Sequence, residues 1–258
     1  GVNYLREHMP DSARVHYAYL DAGGVAPNVV QARATVRQLI RASTLPELRE
    51  LVARVRKIAD GAALMTETRV TTQVFSGVSN LLGNRPLEET MQAEMEKLGP
   101  VQFDQTDRNF AREIQKTLTD GDIAATFRRI GTKPVKGLAL CDFIAPLDRS
   151  REGGEGSTDV GDVSWAVPTV QARVATCAIG TPFHTWQTVA QGKAPAAHKG
   201  MIYAAKVMAA TARRLIEDPA LVAAAKAVHR EHLEETPYEC PIPPEVKPPV
   251  KSPPALSD

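Results

Sequence analysis

His184 is the residue whose position in the sequence best suits chemistry. It follows the apolar run RVATCAIG (173–180), which has the length of a buried strand, and it lies within the break GTPFHTW. In α/β proteins, ligands and catalytic groups gather where loops leave the carboxyl ends of strands. A neutral imidazole at such a place suits a divalent metal ion. Position alone leaves an alternative open, namely a loop histidine that is hydrogen-bonded to backbone.

Asn28 and Arg41 form a second candidate pair. Asn28 lies in the turn-rich stretch DAGGVAPNVV, and Arg41 ends the strand predicted after it, 13 residues later. A guanidinium binds a carboxylate through two parallel hydrogen bonds, and an amide adds a neutral donor. If the sheet brings both to one edge, they would form a carboxylate receptor. The alternative is a turn asparagine and a solvated arginine at a strand end.

Acidic residues supply weaker candidates. Asp159 and Asp162 lie three apart in STDVGDVSW, where they would bind a cation or orient a histidine. The alternative is a solvated turn in which each aspartate bonds its own backbone. His198, at the start of an Ala-rich helix, either faces a pocket or caps that helix, and both interpretations stay open.

Two pairs of adjacent carboxylates are assigned to solvated surface. Glu88 and Glu89 follow Pro86 at a helix start, where acidic residues complement the helix dipole. Glu234 and Glu235 end a helix just before a proline-rich tail. No His-x-Asp or His-x-x-x-His motif occurs in the chain to partner them.

Local patterns predict the elements that would position these residues in the first part of the chain. Val2, Leu5 and Met9 indicate the last turns of a helix, and strands are predicted over 14–20, 32–42 and 67–75. A helix should run from the cap Thr44 to about residue 65, with Glu47 completing a capping box. This α-β-β-α-β order is typical of a small α+β sandwich that lacks its first strand. Because the chain starts at Gly1 within a helix pattern, we expect a C-terminal piece of a longer protein; the alternative is a short complete domain with a trimmed N-terminus.

The pattern of predicted elements changes near residues 78–84, after which longer helices are predicted. Helices are predicted over 86–99, 106–119 and 198–217 and from Asp218-Pro219 to about 234, whereas 120–160 should be irregular and 173–180 a buried strand. The last 22 residues hold eight of the 19 prolines, which predicts an extended tail. The predicted domains are therefore residues 1–80, 81–236 and 237–258.

Composition excludes several classes of partner. The chain has 31 Lys and Arg against 30 Asp and Glu, a net charge of +1, so it offers no single-sign field for nucleic acid or an anionic membrane. No apolar run has the roughly 18 residues of a membrane span. The three cysteines show no metal-type spacing and indicate reduced thiols in a cytoplasmic protein.

Taken together, the motifs resemble those of M20-type metallopeptidases and amidohydrolases. DAGGVAPNVVQARATVRQLIRA resembles the signature of their lid, or dimerisation, domain; GSTDVGDVSW, CAIGTPFHTWQ and AAHKGMIYAAKVMAATA resemble the end of their catalytic domain. The branch that acts on p-aminobenzoyl-glutamate is the most similar. The resemblance implies an incomplete ferredoxin-like α+β lid domain and the C-terminal half of an α/β zinc-peptidase-like catalytic domain.

The resemblance also implies an activity. These enzymes hydrolyse the amide bond of an N-acyl amino acid with two divalent metal ions, zinc or manganese, a bridging water and a glutamate base. His184 matches the last metal-ligand histidine, and Asn28 and Arg41 match the lid residues that grip the substrate carboxylate. The lid of one subunit leans over the site of its neighbour, which implies a homodimer or a heterodimer with a related subunit.

The departures from the family are equally informative. Its other metal ligands, its Glu-Glu base and the histidine at the start of its lid precede the lid, and residues 1–258 contain none of them. We therefore expect this chain alone neither to bind two metal ions nor to hydrolyse amides. Two other functions stay open: a non-catalytic subunit that pairs with a catalytic partner through the lid, and a small-molecule-binding α/β domain.

Overall fold

The computed structural model describes residues 1–147 and 156–248. These residues form two compact units. The first contains residues 1–81, 157–162 and the described residues 239–248, and the second contains the described residues of 82–156 and 163–238. Within the described ranges, no helix combines the length and apolar composition that crossing a bilayer requires. The predictions for 148–155 and 249–258 lie outside the described residues.

The first unit is built on a two-stranded hairpin and two helices. Its elements are α1 (Val2–Arg6), β1 (Arg14–Asp21), β2 (Thr35–Arg41) and α2 (Leu45–Thr66). The strands pair antiparallel, from Arg14 opposite Arg41 to Asp21 opposite Thr35. The two strands and two helices predicted here are confirmed, and mixed helix and antiparallel strand is compatible with an α+β fold. The ferredoxin-like identity of the unit stays a prediction.

One small core holds the first unit together. Leu5, Val15, Leu51 and Val55 are buried against one another, and Val2 and Met9 of the predicted N-terminal stripe are among the half-buried residues packed around them. Arg6 fastens α1 to β1, because its Nε and Nη2 both donate to the carbonyl oxygen of Val15, at 3.0 and 2.7 Å. The hairpin therefore packs on helices that are themselves fixed by core contacts.

The start of α2 differs in one detail from the expected capping box. Thr44 caps the helix as predicted, and its side-chain oxygen accepts a hydrogen bond from the backbone N–H of Glu47. The reciprocal bond, in which the Thr44 backbone N–H would donate to the Glu47 carboxylate, is not formed at this helix start, and Oε2 of Glu47 is buried without a hydrogen-bond partner in the described part of the chain. Only half of the predicted box is present.

The strand predicted over 67–75 is wrong. These residues carry no regular structure, and the sheet of the described first unit contains β1 and β2 alone. The segment contacts the hairpin through a side chain instead, because the Arg37 guanidinium lies 5.8 Å from the centre of the Phe75 ring. Alternating apolar residues form a strand only where a neighbouring backbone offers a ladder of hydrogen bonds.

The second unit consists of helices and their connections in the residues described. They are α3 (Arg85–Leu98), α4 (Gln105–Gln115), α5 (Asp120–Arg129), α6 (Val160–Ala166), α7 (Trp186–Gln191), α8 (Pro195–Glu217) and α9 (Pro219–Glu235), of which α6 begins in the first unit. Helices α3, α8 and α9 pack against one another. The four helices predicted here are confirmed, with α8 starting earlier than predicted.

Two predictions for the second unit are corrected. Residues 173–180 form no strand. Ala175 of this run lies directly on α8 at Gly200, so the run owes its apolar character to helix packing rather than to a covered sheet. Residues 120–160 are not wholly irregular, because α5 begins with a complete capping box between Thr119 and Asp122.

A charge network with one buried member, Asp107, joins α8 to the start of α4. Lys199 donates to Asp107, whose side chain is 1% exposed, and to Asp104 at 2.7 Å. Asp104 and Asp107 also form the capping box of α4. The hydrogen bond from Lys199, followed by that from the Asp107 backbone, holds the pKa of Asp104 below its ordinary value of 3.8, and both aspartates raise the pKa of Lys199 above 10.5.

Adding a methyl group at Gly200 should destabilise the chain. A Cβ there would overlap the carbonyl oxygen of Ala175 and lie 2.8 Å from Cγ2 of Thr176. We expect Gly200→Ala to lower the free energy of unfolding by about 1–3 kcal/mol. Gly61→Ala in α2 is the matched control, because nothing lies within 4 Å of its added Cβ, and it should stabilise the chain by about 0.5–1 kcal/mol. Equal shifts of both variants in urea unfolding would contradict the packing.

Replacing Lys199 by methionine should change how stability depends on pH. Because Asp104 has a lowered pKa when folded, its contribution is present above about pH 3.8 and is lost as the pH falls through the folded value. Because Lys199 has a raised pKa, its contribution is present below about pH 10.5 and is lost as the pH rises through the folded value. The gap in unfolding free energy between wild type and Lys199→Met should therefore be widest near neutral pH.

This prediction is checked by urea unfolding between pH 2 and 7. Lys206→Met, on the exposed part of the same helix, is the control and should follow the wild type at every pH. If the unfolding free energy of Lys199→Met stays below that of the wild type by a constant amount down to pH 2, the charge network is not the source of the difference.

Candidate functional site

His184 lies in a turn immediately before α7 and is exposed. Its φ of 63° places it in the left-handed region, one of two non-glycine residues with positive φ in the described chain. A side chain rarely adopts that conformation unless its surroundings hold it, and such positions concentrate at functional sites. The predicted candidate is thus a solvent-facing imidazole on a constrained backbone.

Two threonines fold the His184 turn back on itself. The hydroxyls of Thr185 and Thr188 both donate to the carbonyl oxygen of Pro182, at 2.8 and 2.7 Å. Because one bond partner precedes His184 and the others follow it, the local shape of the turn does not depend on any distant contact. Gly180 shapes the chain on the amino-terminal side of the turn. Its φ is +96°, and an added Cβ would lie 2.8 Å from Cγ1 of Ile123.

A buried glutamine joins this turn to the segment before it. Gln191, the last residue of α7, is 3% exposed. Its Oε1 accepts from the backbone N–H of Ala178 at 2.7 Å, and its Nε2 donates to Oγ1 of Thr181 and to the carbonyl oxygen of Gln187, both at 3.0 Å. Both donor hydrogens and the acceptor of the amide are thereby used. Nothing in the sequence singled out this residue, because its partners depend on how the loop closes.

Asn28 and Arg41 both belong to the first unit, in different parts of the hairpin. Arg41 pairs with Arg14 at the open end of the hairpin, whereas Asn28 lies in the connection that joins β1 to β2. The six residue steps from Thr35 to Arg41 span about 20 Å along the strand. One carboxylate would therefore contact both side chains only with the connection folded back along the sheet. Their joint role stays a prediction.

Asp162 has a structural partner in the first unit. Its carboxylate accepts from the backbone N–H of Ser79 at 3.1 Å and from the Ser79 hydroxyl at 2.6 Å. None of the predicted roles, a cation ligand, a group that orients a histidine or a turn bonding its own backbone, describes this long-range contact. Gly161 lies so close that an added Cβ would overlap the carbonyl oxygen of Ser79. Asp159 is exposed and shares a weak 3.5 Å contact with the hydroxyl of Thr158.

Three of the four adjacent carboxylates lie at the solvated surface as expected, and Glu88 is the exception. Glu234, Glu235 and Glu89 are exposed, and Glu88 is half-buried where its Oε1 accepts from the backbone N–H of Asn84 at the start of α3. His198 is exposed in the first turn of α8. None of these residues belongs to a group of three potential metal ligands in the described ranges.

The described residues do not complete a metal site. Across 1–147 and 156–248, no group of three His, Cys, Asp or Glu side chains is placed to hold a metal ion. A catalytic zinc ion in proteins needs three protein ligands and an open position. His184 would supply one of these, so these residues alone do not fit a metal centre.

The comparisons with known proteins give one informative similarity. No family model matches the chain. The chain is 42% identical over 258 residues to a subunit of the p-aminobenzoyl-glutamate hydrolase of Escherichia coli (strain K12), an alignment that covers 96% of this chain and 54% of that protein. The chain therefore spans about half the length of this relative. The expected resemblance to the p-aminobenzoyl-glutamate branch is confirmed, while the M20 assignment stays a prediction.

Removing the Asp162 carboxylate should destabilise the first unit. Asp162→Ala leaves the backbone N–H and hydroxyl of Ser79, a residue that is 4% exposed, without these acceptors. We expect a loss of about 1–3 kcal/mol in the free energy of unfolding. Asp159→Ala is the control and should change it by less than about 0.5 kcal/mol. A cation role for Asp162 would instead appear as stabilisation of the wild type by added Ca²⁺ or Mg²⁺, which the hydrogen bonds to Ser79 do not require.

Proposed function

We propose that this chain is part of a metal-dependent M20-type amidohydrolase that cleaves the amide bond of an N-acyl amino acid such as p-aminobenzoyl-glutamate. The observation that carries the proposal is the 42% identity, sustained over 96% of the chain, to a protein named as a subunit of p-aminobenzoyl-glutamate hydrolase. The constrained, exposed turn at His184 supports it, because a metal ligand must be held within a few tenths of an ångström.

In this proposal the chain supplies one metal ligand and the grip on the substrate. His184 contributes an imidazole to the metal centre, and the remaining ligands and the general base come from residues that the described ranges do not contain. The metal ions would polarise the amide carbonyl and activate water when bound. Arg41 would hold the free carboxylate of the substrate as a bidentate pair, with Asn28 as a second donor.

A second candidate function is pairing with a catalytic partner through the hairpin. One observation favours it, namely the exposure of the hairpin. Seven of the eight residues of β1 are not buried, and the large apolar side chains Tyr17 and Tyr19 of β1 and Val36 and Leu39 of β2 are exposed. The name of the relative also describes that protein as one component of an assembly. In that case the hairpin would join a homodimer or a heterodimer, and Arg41 would not touch substrate.

Two substitutions separate these functions when they are made in a protein that contains this chain and has the full length of the relative. Arg41→Ala should raise KM for p-aminobenzoyl-glutamate about 10- to 100-fold with little change in kcat, since it removes one charge-assisted interaction with the substrate. His184→Ala should lower kcat by on the order of 10³-fold and reduce the bound metal measured by elemental analysis. Arg33→Ala and His232→Ala serve as matched controls.

The outcomes are distinct. If Arg41→Ala leaves KM unchanged but dissociates the oligomer in light scattering, the pairing function is correct and the substrate role is wrong. If His184→Ala retains both activity and metal, the amidohydrolase proposal fails. The 258-residue chain by itself should show neither amide hydrolysis nor stoichiometric metal, because the described residues hold one candidate ligand where three are needed.

A further inference from the structure

We infer that Gln191 is a positioning residue: its buried side-chain amide fixes the turn that presents His184, and substituting it impairs the site through that turn. The inference rests on the proposed function for the role of His184. It concerns a residue that touches neither the imidazole nor any reacting group, and it follows from the hydrogen bonds that close residues 178–191 into a loop.

The orientation of the Gln191 amide is determined by its partners. Oε1 faces the backbone N–H of Ala178, which only donates, and Nε2 faces the carbonyl oxygen of Gln187, which only accepts. Rotating the amide by half a turn would set donor against donor and acceptor against acceptor. Because the group is 3% exposed, water cannot replace a lost bond without opening the loop. The amide therefore has a single satisfied arrangement.

The bonds of Gln191 connect the two sides of His184. Ala178 and Thr181 precede the histidine, whereas Gln187 and Gln191 follow it in α7. Thr181 extends the connection, since its own hydroxyl donates to the carbonyl oxygen of Ala178 at 2.7 Å. The buried amide is thus the link through which α7 holds the segment that leads into the turn.

The remaining hydrogen bonds of the turn do not replace this link. Thr185 and Thr188 bond to Pro182, which lies inside the turn itself. Without the Gln191 amide, no other described hydrogen bond joins α7 to Ala178 or Thr181, so the turn would open more often and its position would no longer be fixed. A turn that opens and shifts more often carries His184 with it, and displacement of a site residue by about 1 Å can cost on the order of 100-fold in rate.

The decisive variant is Gln191→Met, which has a similar length and volume but neither the amide donors nor the acceptor. In a protein of the relative's full length, we expect kcat/KM for p-aminobenzoyl-glutamate to fall at least about tenfold, given the loss of three buried hydrogen bonds. Gln171→Met, at an exposed glutamine of the same unit, is the matched control and should leave kcat/KM unchanged.

A second readout does not depend on activity. Phe183 and Trp186 flank His184 and are 62% and 60% exposed, so chymotrypsin cleaves after them in proportion to how often the turn opens. In the 258-residue chain, Gln191→Met should increase cleavage at these two bonds about tenfold, measured by mass spectrometry, with the bonds in α8 and α9 still protected. If Gln191→Met does not fold, Thr181→Val removes one amide partner at nearly constant shape and should give the same changes to a smaller degree.

The outcomes separate this inference from the proposed function. Faster cleavage at Phe183 and Trp186 together with a lower kcat/KM supports the positioning role. Unchanged cleavage and unchanged kcat/KM in both Gln191→Met and Thr181→Val overturns it, even where His184→Ala abolishes activity. Full activity of His184→Ala overturns the proposed function instead, and the cleavage assay then still decides whether Gln191 holds the turn.

Discussion

The second unit depends on a few buried polar side chains, each of which must find a hydrogen-bond partner far away in the sequence. Asn84 Nδ2 donates to the carbonyl oxygen of Ala225 at 2.9 Å, and His229 Nε2 donates to the carbonyl oxygens of Ser164 and Trp165 at 3.1 and 3.2 Å. Apolar packing alone tolerates helices that slide or rotate by small amounts. A buried amide or imidazole does not tolerate such movement, because the movement would leave it without a hydrogen-bond partner.

Close approach of backbone to backbone complements these bonds. Gly200 lets the 173–180 run lie directly against α8, and Gly180 lets the chain pass Ile123 on its way to the His184 turn. Each glycine removes a side chain where two segments meet, so the buried polar groups nearby can reach their partners. The same principle applies in the first unit, where Gly161 permits the contact between α6 and Ser79 that the Asp162 carboxylate then completes.

The sequence predicts this fold well where the signal is local. Helix α2 with its cap Thr44 and helix α9 opening at Asp218-Pro219 are confirmed, because periodicity and capping are properties of short segments. Helix α5 lies in a stretch expected to be irregular, although its Thr119-x-x-Asp122 box follows the same rule. The strands expected over 67–75 and 173–180 fail for a different reason, since a strand requires a partner that the segment itself does not encode.

The candidate site shows the same division between local and distant information. The break after an apolar run identifies His184 as a turn residue, but not the left-handed φ or the glutamine that fixes it, because Gln191 bonds to residues up to 13 positions away. The acidity of Asp162 marks it in the sequence, but its partner Ser79 lies 83 positions earlier. Side chains whose role is to join segments cannot be recognised before the segments are placed.

The hydrogen bonding and exposure around the site residues match the two roles proposed for them. His184 lies in a turn closed by three threonine hydroxyls and one buried amide. Asn28, by contrast, lies in a connection in which every residue from 22 to 34 is exposed. A metal ligand requires a fixed position, because coordination distances vary by only about 0.2 Å. A residue that grips a carboxylate gains from adapting to the substrate, and an exposed connection allows that adaptation while the arginine stays anchored in a paired strand.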